Sequence, residues 1–225
     1  MRRCRGTTYP DLSTEFDYIR CWSLGNLEKY ADAEHLIRQV IADAPKDPRF
    51  HMLRALNLFG WTTNKQECPY GLQDVIDSTL EAVALYEQEV PRDEKRLGLA
   101  HNNAAYLYSC DASDSCFSLE KARFHLSLLK AHIDRAQWDP GHPEFFHTEA
   151  NLLYREYVGM KDNDPDPAAM TSVLRAARES ISAAIKIVNK PIYGDLLRKI
   201  KAEKQSKDTR PVPTGVSTAK SAPVE

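Results

Sequence analysis

Histidine and arginine are the residue types in this 225-residue chain whose spacing could carry chemistry. Four residues separate Arg96 from His101, and six separate Arg135 from His142. A guanidinium that grips a phosphate beside an imidazole that moves a proton is the minimum equipment for cleaving a phosphodiester. Seven histidines in a chain of this length make such spacings ordinary by chance. His125, His132, His142 and His147, with Asp139 or Glu144, supply metal-ligand types, yet no pair has the His-x3-His or His-Glu-x-x-His spacing that sets two ligands on one helix face. Asp162-Asn-Asp-Pro-Asp166 opens like a calcium loop, but the sixth position is Pro167 rather than glycine and the twelfth is Val173 rather than a bidentate glutamate. Neither a phosphate-binding Gly-x4-Gly-Lys-Ser/Thr loop nor a Gly-x-Ser-x-Gly elbow occurs. The expectation is a protein without catalytic residues, metal or cofactor, and so not an enzyme.

The elements that would position any binding residue follow from composition and pattern. With 42% hydrophobic and 28% charged residues the chain is of ordinary globular composition, and a formal net charge of -2 gives no overall pull toward nucleic acid or anionic membrane. Met1-Arg-Arg-Cys-Arg5 is followed by no apolar run, and no stretch reaches the ~18 apolar residues of a membrane span. Five scattered cysteines (Cys4, Cys21, Cys68, Cys110, Cys116) without a Cys-x-x-Cys pair suit a reducing compartment, so the expected location is the cytoplasm.

Strand signals are nearly absent, whereas apolar residues recur at three- and four-residue spacing from Phe16 to Val188. This pattern predicts an all-α chain with helices at 13–26, 28–44, 48–60, 73–89, 93–109, 118–136, 143–158 and 167–189. Ser118 reads as an N-cap, and Asp166-Pro167 as a cap followed by a first-turn proline. Residues 1–12 read as an N-terminal extension and 191–204 as a short capping helix. The Ser-, Thr-, Pro- and Lys-rich stretch 205–225 reads as a disordered tail.

The helices also repeat. Ala33, Ile37, Val40 and Pro45 set a small, large, large, proline template that returns as Thr79, Val83, Tyr86 and Pro91. It recurs as Ala122, Leu126 and Leu129, and as Ala177, Ile181, Ala184 and Asn189. Two helices approach to ~8–10 Å only where the crossing side chains are small, which selects Cys21, Ala55, Ala105 and Ala150 as first-helix partners. Cys21 to Ala33 and Ala33 to Ala55 are steps of 12 and 22 residues, a period of 34. Later units stretch within their hairpins, at Gly60–Leu72, Cys110–Phe117 and Gly159–Asp166.

Over roughly 13–190 the chain therefore resembles the tetratricopeptide repeat family. The resemblance implies about four antiparallel helical hairpins stacked as a short right-handed solenoid. Asn102-Asn-Ala-Ala-Tyr-Leu-Tyr108 is similar to the Asn-Asn-Leu-Ala-x-Leu-Tyr first helix of kinesin-light-chain-like members. There the likeness implies that Ala104, Ala105 and Tyr108 pack inward while Asn102 and Tyr106 face a concave groove. Aligning Ala150 with Ala105 puts His147, Asn151 and Tyr154 on the same stripe. The candidate peptide-binding set is thus Asn102, Asn103, Tyr106, His147, Asn151 and Tyr154, since asparagine can bond an extended backbone and tyrosine buries area at low entropic cost. The lysine that carboxylate-clamp members carry in such grooves has no counterpart before Cys21.

The function implied is a protein-interaction module or scaffold whose partner is a peptide or protein segment. Nucleic acid would be reached only through the basic C-terminal segment around Arg198, Lys199, Lys201 and Lys204. Two alternatives stand beside it. The Arg–His spacing resembles that of the helical HEPN ribonucleases, and a regulatory or sensor domain of a larger complex would show the same helices. Trp22 and Trp138 read as packing residues, and Trp61, between Gly60 and a polar loop, as the tryptophan exposed to solvent.

Overall fold

A computed structural model describes residues 12–64, 67–110, 115–136, 142–161 and 166–208. Among them the chain forms nine α-helices and no strand: α1 Leu12–Asn26, α2 Tyr30–Asp43, α3 Pro48–Thr63, α4 Leu72–Gln88, α5 Glu94–Cys110, α6 Leu119–Ala136, α7 Pro143–Met160, α8 Pro167–Ile187 and α9 Pro191–Asp208. Local chemistry sets their starts. Asp47 accepts the Arg49 amide ahead of Pro48, Asp166 accepts those of Ala168 and Ala169 ahead of Pro167, and Ser118 accepts that of Lys121.

Consecutive helices pair as hairpins, most extensively α3 with α4, α5 with α6 and α7 with α8. Each second helix also packs on the next hairpin's first helix. First helices meet one another directly, α1 with α3, α5 with α7 and α7 with α9. Phe59 and Tyr106 ring contacts link α3 to α5, as does the Asn103 amide against the Met52 sulfur. Among the described residues the second helices α2, α4, α6 and α8 have no comparable packing with each other. Contacts therefore run to the next element and the next but one, the nearest-neighbour pattern of helical arrays.

All eight small crossing residues are buried. Cys21, Ala55, Ala105 and Ala150 on the first helices, and Ala33, Thr79, Ala122 and Ala177 on the second, are each at most 3% exposed. Around them lie the apolar clusters that hold the hairpins together, such as Cys21, Ala33, Ile37 and Leu53, or Ala150, Ala177, Ile181 and Ala184.

The C-terminal end departs from expectation. The capping helix is longer than 191–204, because α9 continues through Asp208, so residues 205–208 belong to a helix and not to a tail. Tyr193, Leu196 and Ile200 anchor it by burial against α7 and α8. Residues 209–225, residues 1–11, the calcium-like segment 162–165, Trp138 and Asp139 lie outside the described residues; Asp166 itself serves as the α8 cap. Among the described residues no helix is long and apolar enough to cross a membrane.

Candidate functional site

The residue immediately after each first-helix crossing residue stands at the same place in every hairpin: Trp22, Leu56, Tyr106 and Asn151. Because the first helices are neighbours, Trp22, Leu56 and Tyr106 mark a lane across them, which buried Asn151 does not extend. Trp22 is 55% exposed and Leu56 is 52% exposed. Tyr106 is half-buried, its ring 6.0 Å from Phe59 and 5.4 Å from His147. Leu56, Phe59, Asn103 and Tyr106 edge a cleft of about 40 Å³ between α3, α4 and α5, with room for the tip of a side chain. Large apolar groups left in water at a repeated register are a binding signal that scattered surface leucines are not.

The six residues expected to line a groove do not all reach it. Asn103 and Tyr106 border the cleft, and Tyr154 is half-buried on α7 among the α7–α8 packing. Asn102, His147 and Asn151 are buried, which corrects their assignment to an open polar stripe. The physical reason lies in α7 and α9. Helix α5 ends at Cys110, leaving its last carbonyls without intrahelical donors. Asn151 Nδ2 donates to the Ser109 carbonyl at 3.0 Å and to its hydroxyl at 3.1 Å, while Arg155 donates to the Cys110 carbonyl. His147 is sandwiched between Tyr106 and Tyr193 of α9, with the Tyr193 ring centroid at 4.9 Å. Burial lowers the His147 pKa against the opposing pull of Glu144. The Asn102 Oδ1 is buried without a hydrogen-bond partner.

The tryptophans reverse their expected roles. Trp61 is buried: its indole N–H donates to the Glu67 carbonyl at 3.0 Å, Tyr30 stacks on it, and Tyr70 meets it edge-on. Trp22 is the exposed one. Its signal was present in the sequence as the residue following Cys21, equivalent to Leu56 and Tyr106.

The chemistry-bearing residues converge elsewhere, in the interior between α5 and α6. His101 Nδ1 lies 3.0 Å from His125 Nδ1, the His132 ring stacks on His101 at 10°, and His132 Nδ1 lies 2.5 Å from a Glu94 carboxylate oxygen. Burial, reinforced by the neighbouring histidines, lowers His101 to about 3, and burial lowers His125 to about 4. His101 is 1% exposed, so no substrate reaches it without opening the hairpin. Arg96 pairs with Asp93 on the surface, and Arg135 lies 3.8 Å from Glu94. Among the described residues no group of three or more His, Cys, Asp or Glu side chains is arranged to hold a metal. In the basic C-terminal segment Arg198 is paired with Asp195, while Lys199 and Lys201 project into solvent. No family model matches the chain, and no curated protein matches it.

Proposed function

We propose that this chain is a degenerate tetratricopeptide-like array, a short right-handed solenoid that works as a non-enzymatic, cytoplasmic interaction module and seats a peptide or protein segment on the face of its first helices. The reading rests on one observation: Trp22 and Leu56, at equivalent register on neighbouring first helices, each leave more than half of an apolar side chain in water. Phe59, Asn103 and Tyr106 extend the lane. The lane is mainly apolar, so side chains anchor the partner and Asn103 is the polar group available to its backbone. Adjacent helices ~8–10 Å apart space the anchors at about that interval. A polyproline-II segment, rising ~3.1 Å per residue, meets that spacing with every third side chain. The free thiols of Cys21 and Cys68 are compatible with a reducing compartment.

The test is selection of peptides from a random display library on the wild-type protein, followed by titration against Trp22→Ala and Leu56→Glu. Both positions are exposed, so melting temperatures stay within a few degrees. Affinity is expected to fall at least ~10-fold, the equivalent of ~1.4 kcal/mol, and selected sequences should carry apolar residues at a regular interval. Peptides that bind both variants as tightly as wild type would overturn the lane as the site.

A further inference from the structure

Helix α6 is held differently from the other second helices. Helix α2 packs on both α1 and α3, α4 on α3 and α5, and α8 on α7 and α9, so each is clasped from two sides. Helix α6 packs extensively on α5 and only slightly on α7. Helix α5 does not depend on α6 in turn. Its Ala100 joins Ala82 and Val83 of α4, and its Tyr106 meets Phe59 of α3 and His147 of α7. Of the second helices, α6 is therefore the one that can leave while the rest of the array stays stacked.

The seam between α5 and α6 is also where the buried imidazoles meet. Apolar packing closes it, Ala105, Leu107 and Tyr108 joining Ala122, Leu126 and Leu129. The bond between His101 Nδ1 and His125 Nδ1 crosses the seam, as does the contact of His132 Nδ1 with Glu94. A charged imidazole carries a proton on both nitrogens. His101 Nε2 is buried with no hydrogen-bond partner, so a charged His101 leaves one N–H unsatisfied for as long as the seam stays shut. With both rings charged, the two Nδ1 atoms would aim protons at one another across 3.0 Å. The surrounding charges do not relieve this. On α5, Glu94 is engaged by His132 and lies near Arg135 of α6, and Tyr108 offers His125 the face of its ring. On α6, Lys121 stands over Tyr108 and repels a proton on His125. From α4, Asp77 bears on Tyr108, and from α7, Glu149 and Glu156 are paired with exposed Lys130 and Arg123.

We propose that α6 is an acid-operated flap: protonation of His101 and His125 swings it off α5 and presents its inner face, Ala122, Leu126, Leu129 and Ile133, while the hairpins on either side stay folded. In the open form both imidazoles are charged in water, which the closed seam forbids. Burial lowers the affinity of both closed-state rings for protons, so the stability of the seam is present above pH ~6.5 and is lost as pH falls. Asn103 and Tyr106 are held by α3 and α7 and not by α6, so the flap is independent of the function proposed above.

Amide hydrogen exchange on the full chain at pH 7 and 5.5, with each rate divided by its intrinsic chemical rate, reads the opening constant helix by helix. The α6 constant should rise roughly 50-fold across that interval, whereas those of α2 and α8 should change by less than ~3-fold. His125→Asn keeps a hydrogen-bonding partner for His101 and leaves one ring to titrate, so it should cut the α6 rise below ~10-fold. Equal rises in α2, α6 and α8 would overturn the flap, because the whole array would then be opening together. So would an α6 constant that does not move with pH, or one that keeps its full rise in His125→Asn. If the asparagine variant fails to fold, the wild-type comparison of α6 with α2 and α8 still decides.

Discussion

At the scale of single residues the molecule keeps its most reactive side chains out of reach and neutral. In the pair formed by His101 Nδ1 and His125 Nδ1 at 3.0 Å, one nitrogen donates and the other accepts, so the contact is lost once both rings are charged. His125 and the stacked His132 ring disfavour a proton on His101, and Lys121 disfavours one on His125. Both rings titrate far below the ordinary ~6.5 of an exposed histidine, His101 at about 3 and His125 at about 4. Below that ordinary value the unfolded chain binds about two more protons than the native one, so stability present above pH ~6.5 is lost as pH falls. Between pH 7 and 5.5 the loss should be about 2 kcal/mol, read from urea melts at the two values. Glu34 and Glu89, whose burial raises them, work in the opposite sense nearer their own range. Replacing His101 and His125 together by Leu trades a hydrogen-bonded pair for an apolar one and should remove most of the slope; a slope that persists would place its origin elsewhere. His101 lies one turn before the crossing residue Ala105, which turns it inward, but its meeting with His125 and His132 depends on how α6 rotates against α5. The two tryptophans show the same limit. Trp61 is buried by a loop that returns Glu67 and Tyr70 to it, whereas Trp22 is left in solvent at the register that Leu56 holds on α3.

At the scale of elements the helices were legible to within a few residues, since their apolar period and their capping residues agree. Proline or aspartate marks the starts of α3, α7 and α8, and the small crossing residues mark where the hairpins close. The close approaches between elements were less legible, and Gly60 is the clearest instance. It sits inside α3, where alanine would ordinarily stabilise an exposed helix by up to ~1 kcal/mol. Here a Cβ would stand 2.8 Å from Tyr30 Cε1, against a ring already fixed by its stack on Trp61. Overpacking reverses the sign, and Gly60→Ala should cost ~1–3 kcal/mol in a denaturant melt. Combining it with Tyr30→Ala should give less than the sum of the two single losses, because the clash disappears with the ring. Additive losses would mean that α2 and α3 shift apart without strain. Ala105→Leu tests the same physics at a fully buried crossing and should cost a similar ~1–3 kcal/mol. By contrast, the lane through Trp22, Leu56 and Tyr106 was only half legible. Asparagine and tyrosine on α5 and α7 suggested a polar groove, but Asn151 serves the open end of α5, and the exposed apolar positions lie on the earlier helices.

At the scale of the whole molecule the array has unlike ends, and that asymmetry follows from α9. Helical arrays expose the apolar side of their last hairpin unless a terminal element with a polar outer face covers it. Helix α9 does so with Tyr193, Leu196 and Ile200 turned inward and Asp195, Arg198, Lys199 and Lys201 turned outward. Lys161 pairs with Glu203 and Lys190 with Glu144, tying the cap to α7 and its C-terminal end. Its length escaped the sequence reading because lysines and glutamates dilute the apolar period after Ile200, so the final turns look like solvated tail. Each of the three buried side chains contributes ~1.5–3 kcal/mol by burial, much of it offset by the entropy of ordering the helix. A chain ending at Lys190 should therefore melt several degrees lower and bind a dye that reports exposed apolar surface, with Ala177, Ile181 and Ala184 uncovered. It should also associate at high concentration, because Phe16 and Ile19 of α1 are exposed at its first face and its last face is open, which permits head-to-tail contacts that do not close. Phe16→Glu in the shortened chain should suppress that association without raising the melting temperature, since one change removes the donor face and leaves the uncapped end as it was. A shortened chain that melts like wild type and stays dispersed would mean that α9 is an appendage, and that the two ends differ for some other reason.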